Sequence, residues 1–128
     1  MKRLLFAFTL MLFTASLASA QEKEAAFALV GDATFDFGTI KESDGPVTHS
    51  FTVKNEGEAP LVITRVQPSC GCTTPEYTKA PIDAGKTGEI KVTFDPRGVS
   101  VPFTKTIAVF SNGKAGSVVL TIKGNVTP

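Results

Sequence analysis

Apolar and polar residues alternate along this chain in short runs that rarely exceed eight residues. Gly88 to Phe94 shows the pattern most cleanly. Ile90, Val92 and Phe94 fall on one side and Glu89, Lys91 and Thr93 on the other. A period of two is that of a half-buried strand. Ala33 to Gly38 repeats it with Phe35 and Phe37, and Val47 to Lys54 with Val47, His49, Phe51 and Val53. Leu61 to Val66 is apolar nearly throughout and predicts a strand crossing the core, ended by Pro68. Phe103 to Ser111 and Val118 to Val126 predict a closing hairpin, whose loop opens at Asn112-Gly113. A weaker strand lies near Tyr77.

Turn residues punctuate these runs. Gly45-Pro46 is a break. Asn55-Glu56-Gly57 reads as a turn because Asn and Gly tolerate positive φ. Asp95-Pro96-Arg97-Gly98 carries Pro at its second place and Gly at its fourth. About seven short strands spaced by turn signals predict an all-β fold, an immunoglobulin-like antiparallel sandwich, with a closed barrel as the rival. No window supports a long amphipathic helix.

The first residues follow a different rule. Met1-Lys2-Arg3 is basic, Leu4 to Ala15 is apolar, and Ala18-Ser19-Ala20 is a small-residue exit site. These are the parts of a secretory signal peptide, with cleavage expected after Ala20. The apolar run falls short of the ~20 residues a membrane-spanning helix needs. The expected organisation is a signal peptide over 1–20, a weakly patterned, partly ordered lead-in over 21–31, and the sandwich over 32–128. The mature protein is expected to be periplasmic or secreted, with no transmembrane segment.

Charge narrows the range of partners. The signal holds two of the 13 basic residues and none of the 12 acidic ones, so the mature chain carries a net charge of −1. A chain without a positive field does not attract polyanions, which argues against nucleic acid and for a protein or cell-envelope partner. The chain has no Trp, one His (His49) and one Tyr (Tyr77), and both Met residues (Met1 and Met11) lie in the signal. No paired carboxylates, phosphate loop or zinc-protease motif occurs, so no enzyme and no cofactor is expected. Asn125-Val126-Thr127 matches a glycosylation sequon but is discounted behind a bacterial-type signal. His49, on an apolar strand face, reads as a packed histidine rather than a ligand or base.

Several segments together are familiar. They are Phe35-Asp36-Phe37-Gly38, Asn55-Glu56-Gly57, Pro68-Ser69-Cys70-Gly71-Cys72-Thr73, Ala84-Gly85-Lys86, Phe94-Asp95-Pro96 and Ser111-Asn112. In this order they resemble the bacterial domain-of-unknown-function family fifteen seventy-three, over roughly residues 31–126. Ser-Cys-Gly-Cys-Thr is the most specific part. The resemblance implies an exported immunoglobulin-type sandwich related to hydin-type and pilus-chaperone-type domains, and implies no activity.

Cys70-Gly71-Cys72 is the one segment that points to chemistry, and three readings stand open. In an oxidising compartment the thiols pair as a structural disulfide, with Gly71 easing the bend. A small ring also suits thiol–disulfide exchange, although the Cys-x-x-Cys at a helix start is missing. Two sulfurs on one strand face suit a soft ion such as Cu(I), or Zn(II) if further ligands are found. The leading expectation is a non-enzymatic binding or structural module of the envelope. A thiol-redox or soft-metal protein acting through Cys70 and Cys72 is the alternative.

Overall fold

The computed structural model describes residues 23–99 and 101–128. The expected signal peptide lies outside them. Eight strands form: β1 (Phe27–Val30), β2 (Thr34–Lys41), β3 (Val47–Asn55), β4 (Ile63–Pro68), β5 (Thr73–Tyr77), β6 (Thr87–Phe94), β7 (Pro102–Ser111) and β8 (Ser117–Thr127). A 3-10 turn, Glu42–Asp44, is the only helical piece among the described residues.

The strands make two four-stranded sheets, ordered β1-β3-β6-β5 and β2-β8-β7-β4. The core lies between them, as the alternation predicts. Phe51 and Val53 of β3 and Ile90, Val92 and Phe94 of β6 face Ile107 and Val109 of β7 and Leu120 and Ile122 of β8, all buried. Phe94 stacks on Phe103 across the layers, with ring centroids 4.0 Å apart. Each such side chain contributes about 1.5–3 kcal/mol on leaving water.

Four features depart from the sequence pattern. First, the lead-in carries a strand. Phe27–Val30 pairs with Thr52–Asn55 of β3, although Ala25 to Val30 does not alternate. Second, the sandwich is not wholly antiparallel. β2 runs parallel to β8, because the chain leaves β1 at Gly31, at φ 99°, and crosses into the other sheet beside the last strand. Third, the apolar run at Leu61 is offset. Leu61 makes an isolated bridge to Ile82, β4 starts at Ile63, and Pro68 ends the strand from within. A proline is tolerated there because β4 is an edge strand. Fourth, the turn after Asp95 closes one residue later than the Pro and Gly spacing suggests. The Val99 amide donates to the Pro96 carbonyl, and Gly98 sits third in the turn at φ 77°.

Asn55-Glu56-Gly57 connects strands by a different device from the one expected. Neither Asn55 nor Gly57 has positive φ. Asn55 is fully buried, and its side chain is fully satisfied. Its Oδ1 accepts from the amides of Ala26 (3.2 Å) and Gly57 (2.9 Å). Its Nδ2 donates to the carbonyls of Ala59 (2.7 Å) and Ile82 (2.9 Å). Four backbone groups from three segments are thereby gathered around one side chain, the Ile82 carbonyl among them also accepting the Leu61 amide. Gly57 is needed for space, since a Cβ there would press into the backbone of Glu24, Ala25 and Ala26.

Candidate functional site

The cysteines sit where the chain changes sheets. β4 and β5 are edge strands of different sheets on the same side of the sandwich, and residues 69–72 connect them. Both ends of this turn are pinned. The Ser69 amide donates to the Thr106 carbonyl (2.9 Å), and the Thr106 amide donates to Ser69 Oγ (3.1 Å). The Asp95 amide donates to the Cys72 carbonyl (2.9 Å), and the Thr73 amide to the Cys70 carbonyl (3.3 Å).

Within the turn the two sulfurs are paired as a disulfide, with Cα atoms 5.4 Å apart, inside the range of bridged cysteines. The Cys72 amide points at Cys70 Sγ, 3.1 Å away. Gly71 is exposed, lacks positive φ, and a Cβ there would meet nothing within 4 Å. The bend therefore does not require glycine, contrary to the role the sequence suggests for it.

The surroundings of the pair differ from those the sequence points to. Lys79 and Arg65 are its nearest basic residues along the chain. Arg65 instead caps the ring of Phe110, at 4.3 Å, and Lys79 lies over Tyr77. The cation at the cysteines is Arg97, which shares an open depression with Gly71, Cys72, Thr74 and Asp95. Arg97 Nε and Nη2 donate to the Asp95 carboxylate at 2.7–3.1 Å. Those hydrogen bonds hold the Asp95 carboxyl below its ordinary value and raise Arg97. Only their distance in sequence hid these two residues, which lie on the turn after β6, the neighbour of β5.

His49 is not brought to the cysteines. It lies on β3, opposite Val92 of β6, which in turn pairs with Pro75 of β5. Two strand spacings separate it from β5, on the order of 10 Å. A Cys–His nucleophile pair is not formed. Among the described residues no group of three or more His, Cys, Asp or Glu is placed to hold a metal ion. His49 instead stacks flat on Phe35 at 3.6 Å and meets Phe51 edge-on at 4.7 Å. Burial lowers its pKa below the ordinary value of 6.5, since a charged ring between two aromatics loses its water.

That aromatic row lies beside a second feature. β1 covers only Thr52–Asn55, so among the described residues Val47–Phe51 of β3 has no strand on that side. The direction of its backbone groups follows from the hydrogen bonds at the end of β3. The Asn55 amide donates to Lys86, on the β6 side, and the Glu56 amide to Ala26, on the β1 side. Alternation then turns the N–H and C=O of Thr48 and Ser50 toward the open side, where they meet no partner among the described residues. Beside them is a small cavity of about 260 Å³ lined by Val30, Asp32, Thr34, Phe35, His49 and Phe51 among others.

Other edges are guarded in the usual ways. β5 contains Pro75, β4 contains Arg65 and Pro68, and β2 has a register shift beside Gly38, at φ 71°. Val47 to Thr52 contains no charge and no proline.

Two sheets packed face to face, with an edge crossover between them, define an immunoglobulin-like β-sandwich module. The chain belongs to the family described as protein of unknown function (DUF1573), whose pattern matches residues 29–126. No curated protein matches it. Among solved structures it is similar to a protein of unknown function from Porphyromonas gingivalis W83 (TM-score 0.71, 16% identity), over 80% of this chain and 47% of that one. It is also similar to the ASH/PapD-like domain 7 of human CEP192 (TM-score 0.62, 10% identity), over 80% of this chain and 86% of that one. The YadV chaperone matches at TM-score 0.52 and 16% identity, over 80% of this chain and 51% of that one. The chain thus spans about half the length of the Porphyromonas protein. At these identities the likenesses establish the fold alone.

Proposed function

We propose that this protein is an exported, non-enzymatic binding module of the bacterial cell envelope, which takes an extended segment of a partner protein as an added strand. One observation carries the reading, the half of β3 that has no paired strand among the described residues and itself holds no Asp, Glu, Lys or Arg. Thr48 and Ser50 offer main-chain donors and acceptors there, and Phe35, His49 and Phe51 line the adjacent cavity. Strand addition uses such groups for affinity and pockets beside them for specificity. Neighbours of PapD-like and chaperone type are consistent with a protein partner. The residue pattern of 1–20 supports export, with the mature protein periplasmic or secreted. Among the described residues no helix is long and apolar enough to cross a membrane.

Ser50→Pro provides the test. Its amide points to the open side, so proline removes a docking donor without breaking a bond to β6. Peptides of about eight residues with alternating apolar positions are selected for binding to the protein. The expected result is that Ser50→Pro weakens the selected peptide at least tenfold while thermal unfolding stays cooperative at a similar temperature. Unchanged affinity in a folded Ser50→Pro protein would remove the reading.

A further inference from the structure

The geometry of the cysteine turn points to a second activity, independent of strand addition. We propose that Cys70–Cys72 is a thiol–disulfide exchange site for a dithiol partner, with Cys72 as the sulfur attacked and Cys70 as the leaving thiolate.

Access and leaving-group stabilisation both assign these roles. Cys72 lines the open depression beside Gly71, Thr74, Asp95 and Arg97, whereas Cys70 does not. Both cysteines are half-buried, and an attacking sulfur arriving from the depression approaches on the Cys72 side. The bond that breaks then places its electron pair on Cys70. Cys70 Sγ already receives the Cys72 amide at 3.1 Å, and a hydrogen bond to the charged form of a group favours that form. This amide stays aimed after the bond opens, because backbone hydrogen bonds from Ser69, Thr73 and Asp95 hold the turn from both sides. The ring also closes only a three-residue loop, so its opening costs the fold little stability.

The exchange balances as follows. A partner thiolate attacks Cys72 Sγ, a partner–Cys72 disulfide forms, and Cys70 leaves as a thiolate. The partner's second thiolate attacks its own sulfur in that mixed disulfide and releases the Cys72 thiolate. The partner's two thiols end as a disulfide, oxidised by two electrons. Cys70 and Cys72 end as two thiols after taking protons from water. Arg97 keeps its charge in a bidentate pair with Asp95, so the rim of the depression does not repel an incoming anion.

The test uses glutathione as the attacking thiol and dithiothreitol as the dithiol. Native protein, isolated without reductant, is mixed with glutathione, quenched in acid, and fragmented between residues 70 and 72 in a mass spectrometer. The adduct is expected on Cys72, in at least threefold excess over Cys70, and excess dithiothreitol is expected to convert the protein fully to the dithiol. A second measurement follows iodoacetamide alkylation against pH in two single-thiol variants. The thiol in Cys72→Ser, where the residue 72 amide remains, is expected to reach half-maximal reactivity below the ordinary ~8.5, and that in Cys70→Ser at or above it. A bond that stays closed in both thiols overturns the proposal, as does an adduct shared equally or carried by Cys70. The glutathione arm needs no variant, so a misfolded mutant leaves the test intact.

Discussion

Asn55 is the residue on which the N-terminal half of the sandwich converges. Its four side-chain hydrogen bonds join the segment before β1, the end of β3 and the Ile82 segment. Asn55→Ala leaves the half-buried Ala26 and Gly57 amides and the Ala59 carbonyl without this partner, and a cost on the order of 3 kcal/mol is expected by urea unfolding. The sequence marks Asn55 as a turn residue but hides this role, because the groups it closes come from elsewhere in the chain. His49 gives a prediction in pH. Its folded pKa is depressed, so at acid pH the unfolded state binds the proton that the folded state resists. Stability is then complete above about 6.5 and falls as pH drops through the folded pKa. His49→Phe is expected to flatten that part of the stability–pH curve, as measured by thermal unfolding between about pH 4 and 8. The apolar face of His49 was legible from alternation. Its stacking partner Phe35 was not, because the two lie in different sheets.

At the scale of elements, two glycines are expected to behave in opposite ways. Gly57→Ala drives a methyl into the backbone of Glu24 to Ala26, with an overpacking cost of about 1–3 kcal/mol. That strain should appear locally, as faster amide exchange in β1. Gly71→Ala enters open space and is expected to leave unfolding within about 0.5 kcal/mol of the parent. The reverse ranking would contradict both accounts. Replacing both cysteines by serine is expected to cost no more than about 1.6 kcal/mol, the loop entropy of a three-residue ring. The elements differ in how far sequence reveals them. β6 alternates without exception, because one face meets the core and the other water. β1 has no such contrast, and only its pairing with β3 makes it a strand. The parallel pairing of β2 with β8 was equally hidden, since alternation says which face is buried and nothing about the neighbouring strand.

The whole molecule is a two-layer sandwich whose sides differ. On one side the chain crosses between β4 and β5 through the cysteine turn, and proline and arginine guard the edges. On the other, β1 ends early, and half of β3 has no paired strand among the described residues. Fold class and the Cys70-Gly71-Cys72 segment were legible in the sequence. The open half-strand was not, because it arises from the mismatch between a four-residue and a nine-residue strand. The central claim is that this half-strand accepts a partner strand. Residue-resolved amide hydrogen exchange, on the protein alone and with a selected alternating peptide, tests it most directly. In the free protein the account predicts fast exchange at Thr48 and Ser50 and slow exchange at His49 and Phe51, whose amides face β6. With peptide bound, Thr48 and Ser50 should slow while the rest of β3 is unchanged. Protection of Thr48 and Ser50 in the free protein, or peptide-induced protection confined to β4 or β5, would contradict it.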